Sequence, residues 1–223
     1  IYIYYIDMEL KLNIPTKLSE ITLRQYKKFI EIGQKNNDPT FIQGKMIEIF
    51  CGVSHKFATL MKYNDVEEIT EEINKLLLQQ PSLVSTFKMN GIEYGFVPDL
   101  DNMTLGEYID IDTYTGEYDN IEIAMNVLYR PIIKKIKNKY IIEDYNPENK
   151  DKMLDMPMDA VVGSLFFFLN LGLELSEITL SYLTNPKKIH LEEYKILQEN
   201  MDGIHRFLPY LEETLQELKI SLN

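Results

Sequence analysis

Apolar and polar residues recur with two different periods along this chain, and the change falls near residue 82. MELKLNIP, from Met8, alternates as a strand does. Ser19 or Thr22 is then placed to cap a helix through Ile32, with Leu23, Tyr26, Phe29 and Ile30 on one face and Gly33 with the following NND cluster as its stop. Asp38-Pro39 opens a second helix that runs to about Cys51. Asn64 or Asp65 is expected to cap a third, VEEITEEINKLLLQQ, that stops at Pro81. Residues 1–82 thus read as an N-terminal strand and helical unit.

From Thr86 the helical period gives way to alternation. TFKM and IEYGFV flank Asn90-Gly91, the pair that most strongly favours a two-residue hairpin turn. Pro98 and the DLDN turn close that hairpin, and Thr104 with Glu107 three residues on has the spacing of a capping box. Ile121–Tyr129 reads as an apolar helix that must end near Arg130, because Pro131 follows. Ile132-Ile133 and Tyr140–Ile142, joined by the basic stretch Lys134–Lys139, predict a second hairpin. The last third is helical: a central apolar helix over about Met158–Leu183, a break at Asn185-Pro186, a helix over about Ile189–Met201, and a final amphipathic helix with Phe207, Leu208, Leu211, Leu215 and Leu218 at helical spacing. The expected fold is α+β and predominantly α-helical, with a helical N-terminal unit, central β-hairpins, and C-terminal helices around a buried apolar helix. Residues 83–223 form the second domain, and because no linker rich in Gly, Pro or Ser separates it from the first, one continuous domain is the alternative.

Composition narrows the partners. In 223 residues, 35 acidic against 23 basic side chains give a formal charge of -12, which repels phosphate backbones and argues against nucleic-acid binding. The most apolar stretch, AVVGSLFFFLNLGLEL from Ala160, contains Gly163, Ser164, Asn170 and Gly172 and is closed by Glu174 and Glu177, so a buried helix is expected there and not a membrane span. Cys51 is the single cysteine, which excludes an intramolecular disulfide and fits a reducing cytoplasm. IYIYYID lacks the basic leader of a signal peptide; Met8 resembles a natural start, and residues 1–7 read either as an upstream extension or as an added edge strand.

Candidate chemistry is sparse. His55, His190 and His205 lie far apart and none has a metal-ligand spacing. Cys51 and His55 are four residues apart, but Gly52 and Ser54 end the helix between them, so a buried thiol is the simpler reading. Asp99, Asp101, Glu107, Asp110 and Asp112 form an acidic run, which is accounted for by turns, a cap and an exposed alternating face, without the spacing of a calcium loop. No glycine-rich phosphate loop occurs. Neither a cofactor, nor a metal, nor a catalytic residue is expected. The candidates are structural and interaction residues: Arg130, placed to pair with Glu107, Asp110 or Glu143 and lock the helix to the hairpins, and Phe207, Leu211 and Leu215 on the final helix, able to pack on the domain or on a neighbour. Fifteen tyrosines exceed what a core needs and suit a protein interface.

YGFVPDLDNMTLGEYIDID, MNVLYRPI, KYIIEDY and MPMD…FFFLNLG, within a span from about Leu18 to Leu183, carry a resemblance to an uncharacterised family of structural and assembly proteins of tailed bacteriophages, especially crAss-like and related phages of Bacteroidetes. IEIFCGVSHKFATLMKYNDVEEITEEINKLL is similar in pattern to phage tail assembly chaperones, although Leu60 and Asp65 stand further apart than in that pattern. The resemblance implies a non-enzymatic role in virion morphogenesis through contacts with other phage structural proteins, as an assembly chaperone or a head–tail or tail component. It also implies residence in the host cytoplasm during assembly or in the virion, with a homo-oligomer as one option. Two alternatives remain: an early phage protein that binds a host factor, and an enzyme with a carboxylate site at Asp99–Asp112.

Overall fold

A computed structural model of the chain describes residues 2–5, 8–100, 102–115, 118–137 and 139–170. The fold is α+β and predominantly helical. It divides into two compact units, one comprising residues 1–79 with 154–159 and the other 80–153 with 160–223. Return of the short segment Leu154–Asp159 to the first unit has no sequence signal.

The first unit begins with β1 (Tyr2–Tyr5) paired antiparallel to β2 (Met8–Lys11). Residues 2–5 therefore supply a strand. Helix α1 (Leu23–Lys35) starts at Thr22, and not at Ser19, because Thr22 and Gln25 complete a reciprocal box: Gln25 N–H donates to Thr22 Oγ1 at 3.2 Å, and Thr22 N–H donates to Gln25 Oε1 at 2.9 Å. Leu23, Tyr26 and Ile30 are buried along its inner face. Of the expected stop, Gly33 is passed and the NND cluster is used: the helix runs to Lys35, whose ammonium reaches back to Glu31 at 2.5 Å, and Asn36 leaves in the extended conformation.

Asp38 caps α2 (Pro39–Cys51) by accepting from Thr40 N–H at 2.9 Å, with Pro39 in the first turn. A short helix α3 (His55–Ala58), without a counterpart in the sequence reading, precedes α4 (Tyr63–Leu77). Neither Asn64 nor Asp65 is the cap of α4. The cap position is Lys62, which offers no side-chain bond, and Asp65 lies in the first turn, where its charge complements the helix dipole. Nor does Pro81 end the helix, which closes at Leu77 as Leu78 N–H turns back to Asn74 O at 3.1 Å. Ile69, Ile73 and Leu76 face α2, and Met156 and Met158 join this core through a bridge in which Leu23 N–H donates to Met156 O and Met158 N–H to Ile21 O, each at 2.9 Å.

The second unit is built on a four-stranded antiparallel sheet in the order β3 (Thr86–Met89), β4 (Ile92–Phe96), β5 (Tyr129–Ile136), β6 (Lys139–Ile142). Asn90 and Gly91 both take positive φ, 51° and 79°, as a two-residue hairpin turn requires. Helices α5 (Leu105–Tyr114) and α6 (Ile121–Leu128) pack together, and α6 passes directly into β5. The helix thus ends at Leu128, and Pro131 sits inside the strand opposite Tyr94. The second hairpin pairs from Ile132 opposite Ile142, as expected, but its turn is shorter than Lys134–Lys139, since β5 continues to Ile136 and pairs there with Lys139.

Tyr129 is fully buried and organises this core. Its hydroxyl donates to Val84 O at 2.9 Å, and its ring meets Phe87 and Phe96 at 5.3 Å between centroids. Helix α7, described over 158–170, adds Val161, Val162, Leu165 and Leu169 to buried positions. Its Gly163 lies so close to Ser82 that a β-carbon there would stand 2.6 Å from the Ser82 carbonyl oxygen. The expected continuation of this helix to Leu183 and the two helices after it lie outside the described residues.

Candidate functional site

Helix α5 and strand β5 bring the acidic run and Arg130 together. Thr104 caps α5 with a complete box, in which Glu107 Oε2 accepts from Thr104 N–H at 2.6 Å and from Thr104 Oγ1 at 2.7 Å. The other carboxylate oxygen, Oε1, is 2.9 Å from Arg130 Nη1. Glu107 and Arg130 retain only 5% and 12% of their side-chain exposure, so one buried carboxylate both caps a helix and neutralises a largely shielded guanidinium. Arg130 is itself fixed by the sheet, being paired across the ladder with Gly95.

Of the three proposed partners, the structure thus selects Glu107. Asp110 is taken by the Tyr145 hydroxyl, which donates to its Oδ2 at 2.5 Å. Burial, then that carboxylate, pushes the Tyr145 phenol well above its ordinary range. Glu143 contributes through its backbone, its N–H donating to Pro131 O at 2.9 Å, and its carboxylate is exposed. Phe207, Leu211 and Leu215 lie outside the described residues.

Of the rest of the acidic run, Asp101 lies outside the described residues. Asp99 accepts from Asn102 Nδ2 at 2.5 Å within the turn. Asp110 and Asp112 lie on a helix, half-buried, and not on an exposed alternating face as the sequence suggested. The pattern was ambiguous because IDID alternates over only four residues, which a short helix tolerates. Asp112 Oδ1 and Arg130 Nε are buried without a hydrogen-bond partner. Among the described residues, no group of three or more His, Cys, Asp or Glu side chains converges as a metal would need.

The Cys51–His55 pair is also placed. Cys51 ends α2 in the core, where burial pushes its thiol up to about 11, away from the thiolate form that a nucleophile needs. His55 opens α3, with Nδ1 3.7 Å from Glu48 Oε2 and its ring edge against Phe41. His190 and His205 lie outside the described residues. No helix among the described residues is long and apolar enough to cross a membrane.

Two features escaped the sequence reading. Tyr140 of β6 reaches across to β4, where its ring covers Gly95 and its hydroxyl donates to Phe96 O at 2.7 Å. A glycine within an apolar strand is the available signal for such a close approach. The other is the opposite face of the same hairpin. Lys134 stands opposite Ile141 and Lys139 opposite Ile136, which places two lysines and two isoleucines in alternation on the side away from Tyr140. Ile133, Ile136 and Ile141 are 61%, 49% and 46% exposed. No protein-family model, curated protein or solved structure matches this chain.

Proposed function

We propose that the chain is a non-enzymatic morphogenesis protein of a tailed bacteriophage that works through protein–protein contacts, as a tail assembly chaperone or as a head–tail or tail component. The observation that carries the non-enzymatic part is the engagement of Glu107 by Thr104 and Arg130, with Asp110 held by Tyr145. The groups best placed for acid–base chemistry serve to fasten α5 to β5 and to the segment after β6. The phage setting is supported by the resemblance carried by YGFVPDLDNMTLGEYIDID and MNVLYRPI. Exposed isoleucines on the β5–β6 hairpin suit a contact function.

Mass spectrometry of purified virions and of assembly intermediates tests this reading. Stoichiometric presence in the particle identifies a component, and presence in intermediates alone identifies a chaperone. Absence from both overturns the proposal, as does a gene that lies among early host-takeover genes.

A further inference from the structure

We propose that the outer face of the β5–β6 hairpin docks onto helix α4 of a second copy of this chain, the basic face of one molecule against the acidic face of the next. The hairpin side is defined by Lys134, Ile136, Lys139 and Ile141, with Ile133 at the irregularity in β5 and Lys137 in the turn at φ 55°. Lys135 is the lysine already engaged, held by Glu93 at 2.7 Å; Lys134, Lys137 and Lys139 make no ion pair among the described residues. No acidic residue occurs between Tyr129 and Ile142, in a chain whose formal charge is -12.

Helix α4 presents the complement. Tyr63, Glu67, Glu71, Asn74 and Leu78 follow one another at spacings of three and four, so they share a stripe, and every one of them is exposed. The ends of the stripe are apolar: Tyr63 is 60% and Leu78 58% exposed. Its centre is acidic, with Glu68 beside Glu67 and Glu71, while Glu72 is held by Lys75 at 2.6 Å. Both surfaces thus mix large apolar side chains with charge of one sign, and the signs are opposite. Such complementarity steers encounter and fixes register.

Other uses of the hairpin fit less well. Pairing β6 edge to edge with another β6 would bury Lys139 at the edge and bring like charge from both copies together, and edge lysines oppose that association. Nucleic acid would gain from arginine and from exposed aromatic rings on which bases stack, yet this face offers isoleucine and lysine alone. Because each copy carries one surface of each kind, every copy can be both donor and acceptor of this contact. The inference rests on the reading of this chain as a protein-contact module but not on the phage setting. A strictly monomeric chain found in virions overturns the docking alone, whereas a self-associating chain absent from virions and intermediates overturns the phage reading alone.

Sedimentation velocity on the full chain, from low to high micromolar concentration, provides the test. Self-association that is reversed between about 50 mM and about 500 mM salt is expected. Lys134→Glu/Lys137→Glu/Lys139→Glu should weaken it at least about tenfold, as should Glu67→Lys/Glu68→Lys/Glu71→Lys. Circular dichroism verifies that each variant is folded. Mixed in equal amounts, the two variants should restore association, since each basic face then meets an acidic one. A wild-type monomer throughout, association unaffected by either reversal, or failure of the mixture overturns the proposal. So does loss of binding to single-stranded DNA in the lysine variant with self-association unchanged, which would make the hairpin a nucleic-acid surface.

Discussion

Where β4 meets β5, the cation Arg130 is largely withdrawn from solvent and held by Glu107 at 2.9 Å, whereas further along the same strand Lys134 and the turn residue Lys137 stand on an exposed face with no ion pair among the described residues. One strand therefore carries positive charge under two sets of rules. A buried guanidinium is desolvated and must be neutralised within the fold, so its removal leaves a carboxylate stranded. An exposed lysine keeps its water, costs the fold almost nothing, and remains available to a partner.

The largest expected effect comes from breaking the buried end of this comparison. Arg130→Met should destabilise the chain by about 3–5 kcal/mol, because Glu107 would then be a buried, uncompensated carboxylate. Adding Glu107→Gln should recover more than half of the loss, since the amide oxygen still accepts from Thr104 N–H and no charge is left behind. Urea unfolding followed by circular dichroism measures both. A loss under about 1 kcal/mol in the single variant would show that the pair does not hold α5 to β5.

A smaller effect is expected where the same unit is constrained by close packing and not by charge. Gly163→Ala places a methyl group 2.6 Å from the Ser82 carbonyl oxygen, a backbone atom that cannot swing aside. The cost should be about 1–3 kcal/mol, read as a lower urea midpoint with an unchanged slope. Below it comes Thr104→Ala, which removes the hydroxyl that bonds both Glu107 N–H and Glu107 Oε2 and should cost about 1 kcal/mol. Any larger loss would mean that the cap also positions Glu107 for Arg130.

These features were not equally legible in the sequence. The Asn90-Gly91 hairpin, the Thr104–Glu107 box and the Asp38-Pro39 helix start are local devices, in which adjacent residues settle the backbone and the tertiary fold agrees. Helix α1 passes Gly33 and ends where the NND cluster begins, and α4 stops at Leu77, short of Pro81, because punctuating residues set a limit to a helix and not its last residue. The choice of Glu107 for Arg130 was one of three, since spacing reports which residues share a helix face and not which face meets a strand from elsewhere in the chain. The return of Leu154–Asp159 to the first unit depends on a backbone bridge at Thr22 and Pro157 that no side-chain pattern encodes. The two-faced hairpin needed the β5–β6 register, because Lys134–Lys139 reads as a basic turn until Ile136 is paired with Lys139.

The smallest effect on folding should come from the exposed end of the comparison, and it is the most discriminating. Lys134→Glu, Lys137→Glu and Lys139→Glu reverse three charges on the hairpin, yet each side chain is solvated and none has an ion-pair partner to lose among the described residues. Each change should move stability by less than about 0.5 kcal/mol in the same urea assay that registers Arg130→Met. If the lysines instead prove as costly as Arg130, their charges are held within the fold and the hairpin has no free basic face to offer. If they are neutral to folding and decisive for association, the two ends of β5 differ in kind: one cation holds the unit together, and the others serve what the unit meets.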